Sequence, residues 1–184
     1  MRKAVVFPFL LFSLLAVTLS VAQNEPQQDE PKRAPSTAQE RQRFLTLTRK
    51  LEQNPLDKSL YDDKKWAKDW LRDVPDINVN VCAPLMFGMQ FVLEQNQYTP
   101  QLSYQATFGI AAYIIEHPDK AGDTAAQFVA GVESALKAYS AILKSDPQAR
   151  SKALDSLLEK QKQGKLAEFV HDASKSCEDK KEGT

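Results

Sequence analysis

Two histidines are the only imidazole groups in the chain, so any histidine-dependent chemistry must use one or both of them. His117 precedes Pro118 at the predicted end of a helix, where a protonated imidazole interacts favourably with the helix dipole. His171 stands beside Asp172 with further charged residues one turn away, which is typical of a solvated helix face. We therefore expect surface or structural roles for both histidines.

The sequence contains none of the local motifs of common active sites. It has no HExxH, CxxC or GxSxG pattern and no glycine-rich phosphate loop. Neighbouring carboxylates occur at Asp62-Asp63, Asp73/Asp76 and Glu178-Asp179, but with 24 acidic residues such pairs are expected by chance. The sequence predicts no catalytic residue, no metal site and no cofactor. One alternative stays open, a small envelope-acting hydrolase whose carboxylates meet only in the fold.

The two cysteines carry the clearest chemical signal. Cys82 begins the most apolar predicted helix, and Cys177 lies on the core stripe of the last helix, four residues after Ala173. Both thiols are expected to point inward, and in an oxidising compartment this arrangement favours a disulfide. Closing a loop of about 95 residues would stabilise the fold by roughly 4 to 5 kcal/mol in the chain-entropy model. We predict a Cys82–Cys177 disulfide, with two unlinked buried thiols as the main alternative.

Aromatic and branched residues provide the candidate binding surface. Trp66 and Trp70 are four residues apart and so lie on one side of a predicted helix. Such a pair usually packs against a neighbouring helix, but tryptophan is also enriched at binding hot spots. Ile77 to Val81 alternates like a strand and is interpreted as an extended connector, the alternative being an exposed edge for a partner strand. The partner-binding candidates are Trp66, Trp70, Ile77 and Val79.

The N-terminal segment predicts export. A short positive start is followed by a largely apolar run from Ala4 to Leu19 and by small residues at Ser20 and Ala22. The apolar run is shorter than the roughly 20 residues of a membrane-spanning helix, so we expect cleavage after Ala22 and no stable membrane insertion. Residues 23–35 are rich in proline and glutamine and are expected to be disordered. The mature protein is expected to be periplasmic or secreted.

The elements that must position these residues are helices. Apolar residues recur at helical spacing between prolines from Ser36 to Cys177. A length of 184 residues fits one domain. The equal numbers of basic and acidic residues, 24 of each, exclude a strongly basic nucleic-acid-binding class. We predict an all-α domain over 36–177, a single compact bundle of six to seven helices with one short extended connector, and a frayed polar tail over 178–184.

Local signals predict where several helices begin and which are buried. Ser36 and Thr37 stand three residues before Gln39 and Glu40 and predict a capping box at the start of the first helix. Two segments are apolar almost all round and should form the core, 82–94 and 108–115. Further helices are expected to begin at the cap-plus-proline pairs Asn54-Pro55, Thr99-Pro100 and Asp146-Pro147. Gly88, Gly109 and Gly131 are expected to allow close helix contact, and Gly164 to end a helix.

The segment from Cys82 through Tyr139 shows a cysteine-led apolar helix, a helix ending in Tyr-x-x-x-His-Pro and then an alanine-rich helix. In this order of features it resembles periplasmic immunity proteins of the Tai type, although it lacks the mid-segment cysteine of that family. The resemblance implies an inhibitor of a secreted toxin. The residues themselves favour a broader prediction, an exported non-enzymatic module that binds a protein or peptide partner in the cell envelope.

Overall fold

The computed structural model describes residues 33–81 and 97–178, which belong to one compact unit. Within these ranges the chain forms six α-helices and no strand, so the all-α prediction is confirmed. The helices are α1 (Ala38–Gln53), α2 (Tyr61–Asp73), α3 (Thr99–Glu116), α4 (Thr124–Ser145), α5 (Lys152–Lys162) and α6 (Leu166–Glu178). The predicted signal segment and the predicted helix over 82–94 lie outside the described residues.

The centre of the bundle is the pair α3 and α4. Half of the residues of α3 are buried, with Ala111 and Ala112 fully buried and Ile110 nearly so. A helix that is apolar all round must be surrounded by others, and α1 and α4 both pack against α3. This confirms the predicted core over 108–115, except that Tyr113 and Ile115 are partly exposed.

Two glycines allow α3 and α4 to approach closely. A Cβ atom built on Gly109 would lie 2.5 Å from the Ser134 Cβ, and one on Gly131 would lie 2.7 Å from the Ile110 Cγ1 and 2.9 Å from the Ala106 carbonyl oxygen. These distances are shorter than any ordinary carbon contact, so only glycine fits at either position. The predicted close helix contact is confirmed.

A side-chain cap sets the start of α1, whereas the start of α2 carries no side-chain cap. Glu40 donates its backbone N–H to the Thr37 Oγ1 (3.2 Å) while its carboxylate accepts from the Thr37 N–H (2.8 Å), which confirms the capping box. The second helix begins later than predicted, because Asn54 ends α1 by bonding to the Lys50 carbonyl oxygen. The Asp57 side chain then begins a short 3₁₀ turn, and α2 starts only after it.

The other two proline junctions also differ in detail from the prediction. Pro100 lies in the first turn of α3, but the residue at the N-cap is Tyr98 rather than Thr99. Asp146 caps a 3₁₀ turn through the backbone N–H of Gln148, and α5 begins later, after Ser151. A capped proline therefore marks the start of helical backbone here without fixing which helix type follows.

The last described helix, α6, has one buried side. Gly164, at φ +70°, ends α5 as predicted, and Leu166 and Val170 are buried on α6. Phe169 lies about 100° around the helix from Val170 and is 36% exposed. The Lys160 ammonium lies 5.1 Å from the centre of its ring.

Candidate functional site

Trp66 and Trp70 form part of the packing between α1 and α2. Trp70 is 4% exposed, and its ring centre lies 5.0 Å from that of Phe44. Trp66 stacks on Trp70 at 5.7 Å, and the Arg43 guanidinium lies over the Trp66 ring at 3.8 Å from its centre. The prediction of Trp70 as a partner-binding residue is therefore wrong, because its side chain completes the core, and Trp66 offers little free surface.

The extended segment after α2 lies on the bundle and does not form a strand. Ile77 is 4% exposed and belongs to the core, which makes it unsuitable as a contact residue for a partner. Val79 is half-buried against the core, whereas Val81 is 51% exposed. The Asp76 carboxylate accepts from the Ser36 N–H and hydroxyl, both at 2.8 Å, and so holds the start of the domain to this connector.

The cysteines and histidines show no assembled reactive site. Cys177 is half-buried against the core, but Cys82 lies outside the described residues, so their pairing stays a prediction. His117 and His171 are both exposed, as expected. Across residues 33–81 and 97–178, no group of three or more histidines, cysteines and carboxylates is arranged to hold a metal ion.

A cleft of about 480 Å³ opens where α2 and α3 meet the end of α1. Two of its lining residues are exposed aromatics from different helices, Tyr61 at 68% and Tyr104 at 50%. Its lining residues are Leu51, Pro55, Tyr61, Lys64, Lys65, Lys68, Asp69, Pro100, Gln101, Tyr104, Gln105 and Phe108. The cleft therefore combines an apolar wall, two tyrosines and three lysines.

The register of α2 places the basic residues of the cleft together. Tyr61, Lys64, Lys65 and Lys68 are spaced at i, i+3, i+4 and i+7, which puts them on one face of a helix. Asp63 points the other way and accepts a hydrogen bond from Arg43 of α1 at 2.7 Å. We call the four residues at this spacing the lysine stripe.

The only carboxylate among the lining residues is already bound. The Asp69 carboxylate accepts from the Lys65 ammonium and from the Arg72 guanidinium, each at 2.9 Å. These two hydrogen bonds lower the pKa of Asp69. The hydrogen bond that Lys65 donates to Asp69 also raises the pKa of Lys65. Lys68 lies 4.7 Å from the centre of the Tyr104 ring, a cation–π distance. The cleft therefore carries excess positive charge at neutral pH.

Comparison with protein-family models, with curated proteins and with solved structures finds no match. In the part of the chain that the structure describes, no helix is long and apolar enough to cross a membrane. The chemistry of the cleft and of the residues behind it therefore guides the assignment of function.

The floor of the cleft is fixed by a buried hydrogen-bond network. Gln105 is 3% exposed, and its amide donates to the Ser134 hydroxyl at 2.8 Å and to the Thr48 carbonyl oxygen at 3.3 Å. The Ser134 hydroxyl donates in turn to the Glu52 carboxylate at 2.8 Å. A buried amide held by two acceptors cannot rotate freely, so the cleft has a rigid polar floor.

Glu52 and Glu116 are a carboxylate pair that the fold assembles from α1 and α3. Arg49 donates to Glu52 at 2.8 Å and to both oxygens of Glu116 at 2.8 and 2.9 Å, and the Lys137 ammonium lies 3.5 Å from Glu52. Burial lowers the pKa of Arg49, but the hydrogen bonds and charges of the two glutamates raise it by more. Every oxygen of the pair contacts a donor, which favours a role in joining helices over acid–base chemistry.

Sequence reasoning missed most of the cleft. Tyr104 and the three lysines were not singled out, because charged residues on a helix are usually a solvated face. The signal that could have found them is the lysine stripe itself, which gathers only basic and aromatic residues although Asp62 and Asp63 lie in the same turn. The position of Tyr104 beside it depends on how α2 and α3 pack.

Proposed function

We propose that the protein is an exported, non-enzymatic helical module that binds a protein or peptide partner through the cleft between α2 and α3. The observation that carries the proposal is the presence of Tyr61 and Tyr104, exposed by half or more, on two helices that line one cleft. Exposed tyrosines supply rigid contact area with a polar tip, and they are enriched where proteins bind each other.

Three features support binding rather than catalysis. The cleft lining contains no histidine or cysteine, its one carboxylate is bound to two cations, and its amide floor is held in place. Export rests on the N-terminal sequence, which has the three parts of a signal peptide. An immunity-type inhibitor of a secreted toxin is a special case, in which the partner is an enzyme that loses activity when bound.

The proposal predicts that a Tyr61→Ala, Tyr104→Ala variant loses its partner without losing its fold. Tagged mature protein is immobilised, exposed to extract of the native cell envelope, and the retained proteins are identified by mass spectrometry. The control is Phe169→Ala, which removes an exposed aromatic residue away from the cleft. Wild type and control should retain the same partner, and the double-tyrosine variant should not.

Circular dichroism and the Tm of each variant separate lost binding from lost fold. Because both tyrosines are largely exposed, the double variant should keep the helical content of the wild type. Retention of the same proteins by a folded double-tyrosine variant would contradict the proposal. Turnover of an envelope polymer by the purified protein would instead favour the hydrolase alternative.

A further inference from the structure

The charges of the cleft indicate which kind of partner segment it takes. We propose that the cleft binds an acidic peptide segment whose carboxylates pair with Lys64 and Lys68 and whose apolar side chain packs beside Tyr104. This inference rests on the proposed function of the same cleft and names the chemistry of the partner.

Two ammonium groups of the cleft are available to a ligand. Lys65 is held by Asp69, but the described residues place no carboxylate within ion-pair distance of Lys64 or Lys68. Lys64 donates only to the Asp57 carbonyl oxygen, at 3.3 Å, and Lys68 lies over the Tyr104 ring. Both ammonium groups can therefore form an ion pair with a carboxylate of the ligand without breaking an existing ion pair.

The positive charge of the cleft is local. The whole chain has equal numbers of basic and acidic residues, and α2 itself carries acidic residues at Asp62 and Asp63. Asp63 is bound by Arg43 on the far side of α2, and Asp69, the one acid that lines the cleft, is paired with Lys65 and Arg72. A negatively charged ligand is thus attracted to the lysine stripe rather than to the protein as a whole.

The size and the apolar wall of the cleft also match a peptide segment. A space of about 480 Å³ accommodates a few side chains, and an apolar wall includes Leu51, Pro55 and Phe108. The hydroxyls of Tyr61 and Tyr104 supply polar groups, whereas the amide of the buried Gln105 already donates to Ser134 and Thr48. A peptide offers both carboxylates and apolar side chains within this length.

A peptide fits these features better than a nucleic acid does. Nucleic acids bind along tracks of cations that follow the phosphate backbone. The lysine stripe extends over only two turns of α2, and beyond it Arg72 is bound to Asp69 and Asp73. A carboxylate-bearing segment needs only the two available ammonium groups.

The test measures binding of a fluorescently labelled short peptide in which glutamates flank leucine and proline, by anisotropy at low and moderate salt. A second peptide carries glutamine in place of each glutamate. The cleft variant is Lys64→Gln with Lys68→Gln, and the control variant is Lys120→Gln with Lys165→Gln, which changes net charge equally at exposed sites. Lysine and glutamine have similar helix propensity, so the fold should be kept.

Wild type and control should bind the glutamate peptide, with affinity that falls as salt rises. The cleft variant should bind it about ten-fold more weakly, as expected for the loss of two partly exposed ion pairs. The inference is overturned if the wild type does not bind the glutamate peptide, if the glutamine peptide binds equally well, or if the cleft variant binds like the wild type. It is also overturned if an oligonucleotide or a sulfated polysaccharide binds more tightly through the same lysines.

The partner capture described above separates the two proposals. If capture requires Tyr61 and Tyr104 but is unchanged by the lysine substitutions, the cleft is the binding site and the acidic-peptide inference fails. If capture does not require the tyrosines, the proposed function itself fails.

Discussion

Glu52 is the residue at which three helices are joined. It lies on α1, accepts from Ser134 of α4 at 2.8 Å and shares Arg49 with Glu116 of α3, while only 7% of its side chain is exposed. A buried carboxylate is costly unless it is paired, and here each oxygen has a donor. Its sequence neighbours give no hint of this role, because its partners come from distant parts of the chain.

We predict that Glu52→Gln lowers the free energy of unfolding by about 1 to 2 kcal/mol, since the amide keeps the Ser134 hydrogen bond but loses both charged contacts. Urea denaturation followed by circular dichroism measures the change. Glu159→Gln on the exposed side of α5 is the control and should change stability by less than about 0.5 kcal/mol. Equal effects of the two substitutions would show that the network contributes nothing.

At the scale of elements, the contact between α3 and α4 decides the architecture. Both helices carry a glycine where the other approaches, and each glycine faces an atom of the opposite helix at a distance no Cβ could tolerate. Glycine inside a helix costs about 1 kcal/mol relative to alanine. Close approach of the two helices, with burial of half of the residues of α3, compensates for that cost.

Alanine at Gly109 or Gly131 should therefore destabilise the protein by about 1 to 3 kcal/mol, although alanine is the better helix former. Gly122 is the matched control, because a Cβ built there meets nothing within 4 Å and its backbone is not in the left-handed region. Gly122→Ala should be neutral or slightly stabilising. Thermal unfolding of the three variants tests this, and a rise in Tm for Gly109→Ala would contradict the close packing.

α2 is the element whose two faces have different roles. One face packs Trp70 and the half-buried Trp66 toward α1, and the other presents the lysine stripe to the cleft. The tryptophans hold the helix in place while the lysines face solvent. Trp66 and Trp70, which the sequence offered as a binding surface, therefore pack one face of the helix whose other face lines the candidate cleft.

At the scale of the whole molecule, a covalent link between the middle and the end of the domain is still expected. The described part of the chain contains no free cysteine, and Cys177 packs against the core at the end of α6. Such a link would close a loop that includes α3, α4 and α5. Since a single domain of this size has a total stability of about 5 to 15 kcal/mol, the link would supply a large share of it.

Peptide mapping of the exported protein without reductant should recover one peptide pair joined through Cys82 and Cys177. Cys177→Ser should lower the free energy of unfolding by up to about 4 kcal/mol, and reductant should lower that of the wild type by the same amount. Reductant should leave the variant unchanged, because it has no disulfide to break. Alkylation of both thiols without reduction would contradict the prediction.

The helical class, the apolar core over 108–115, the glycine contact and the end of α5 at Gly164 could all be predicted from the sequence. These features depend on apolar periodicity and on local caps, which act over one or two turns of chain. Helix starts at Asn54 and Asp146 were predicted less well, because Asn54 ends α1 and Asp146 caps a 3₁₀ turn instead of an α-helix.

The sequence by itself thus determined which segments are helical and which residues each helix can bury. Only the tertiary structure decided that Trp70 fills the core, that Glu52 meets Arg49 and Ser134, and that Tyr104 lies beside the lysine stripe. The physical reason is that periodicity fixes the apolar side of a helix but not its neighbour. The neighbour depends on long-range packing, and the candidate binding cleft exists only where α2 and α3 meet.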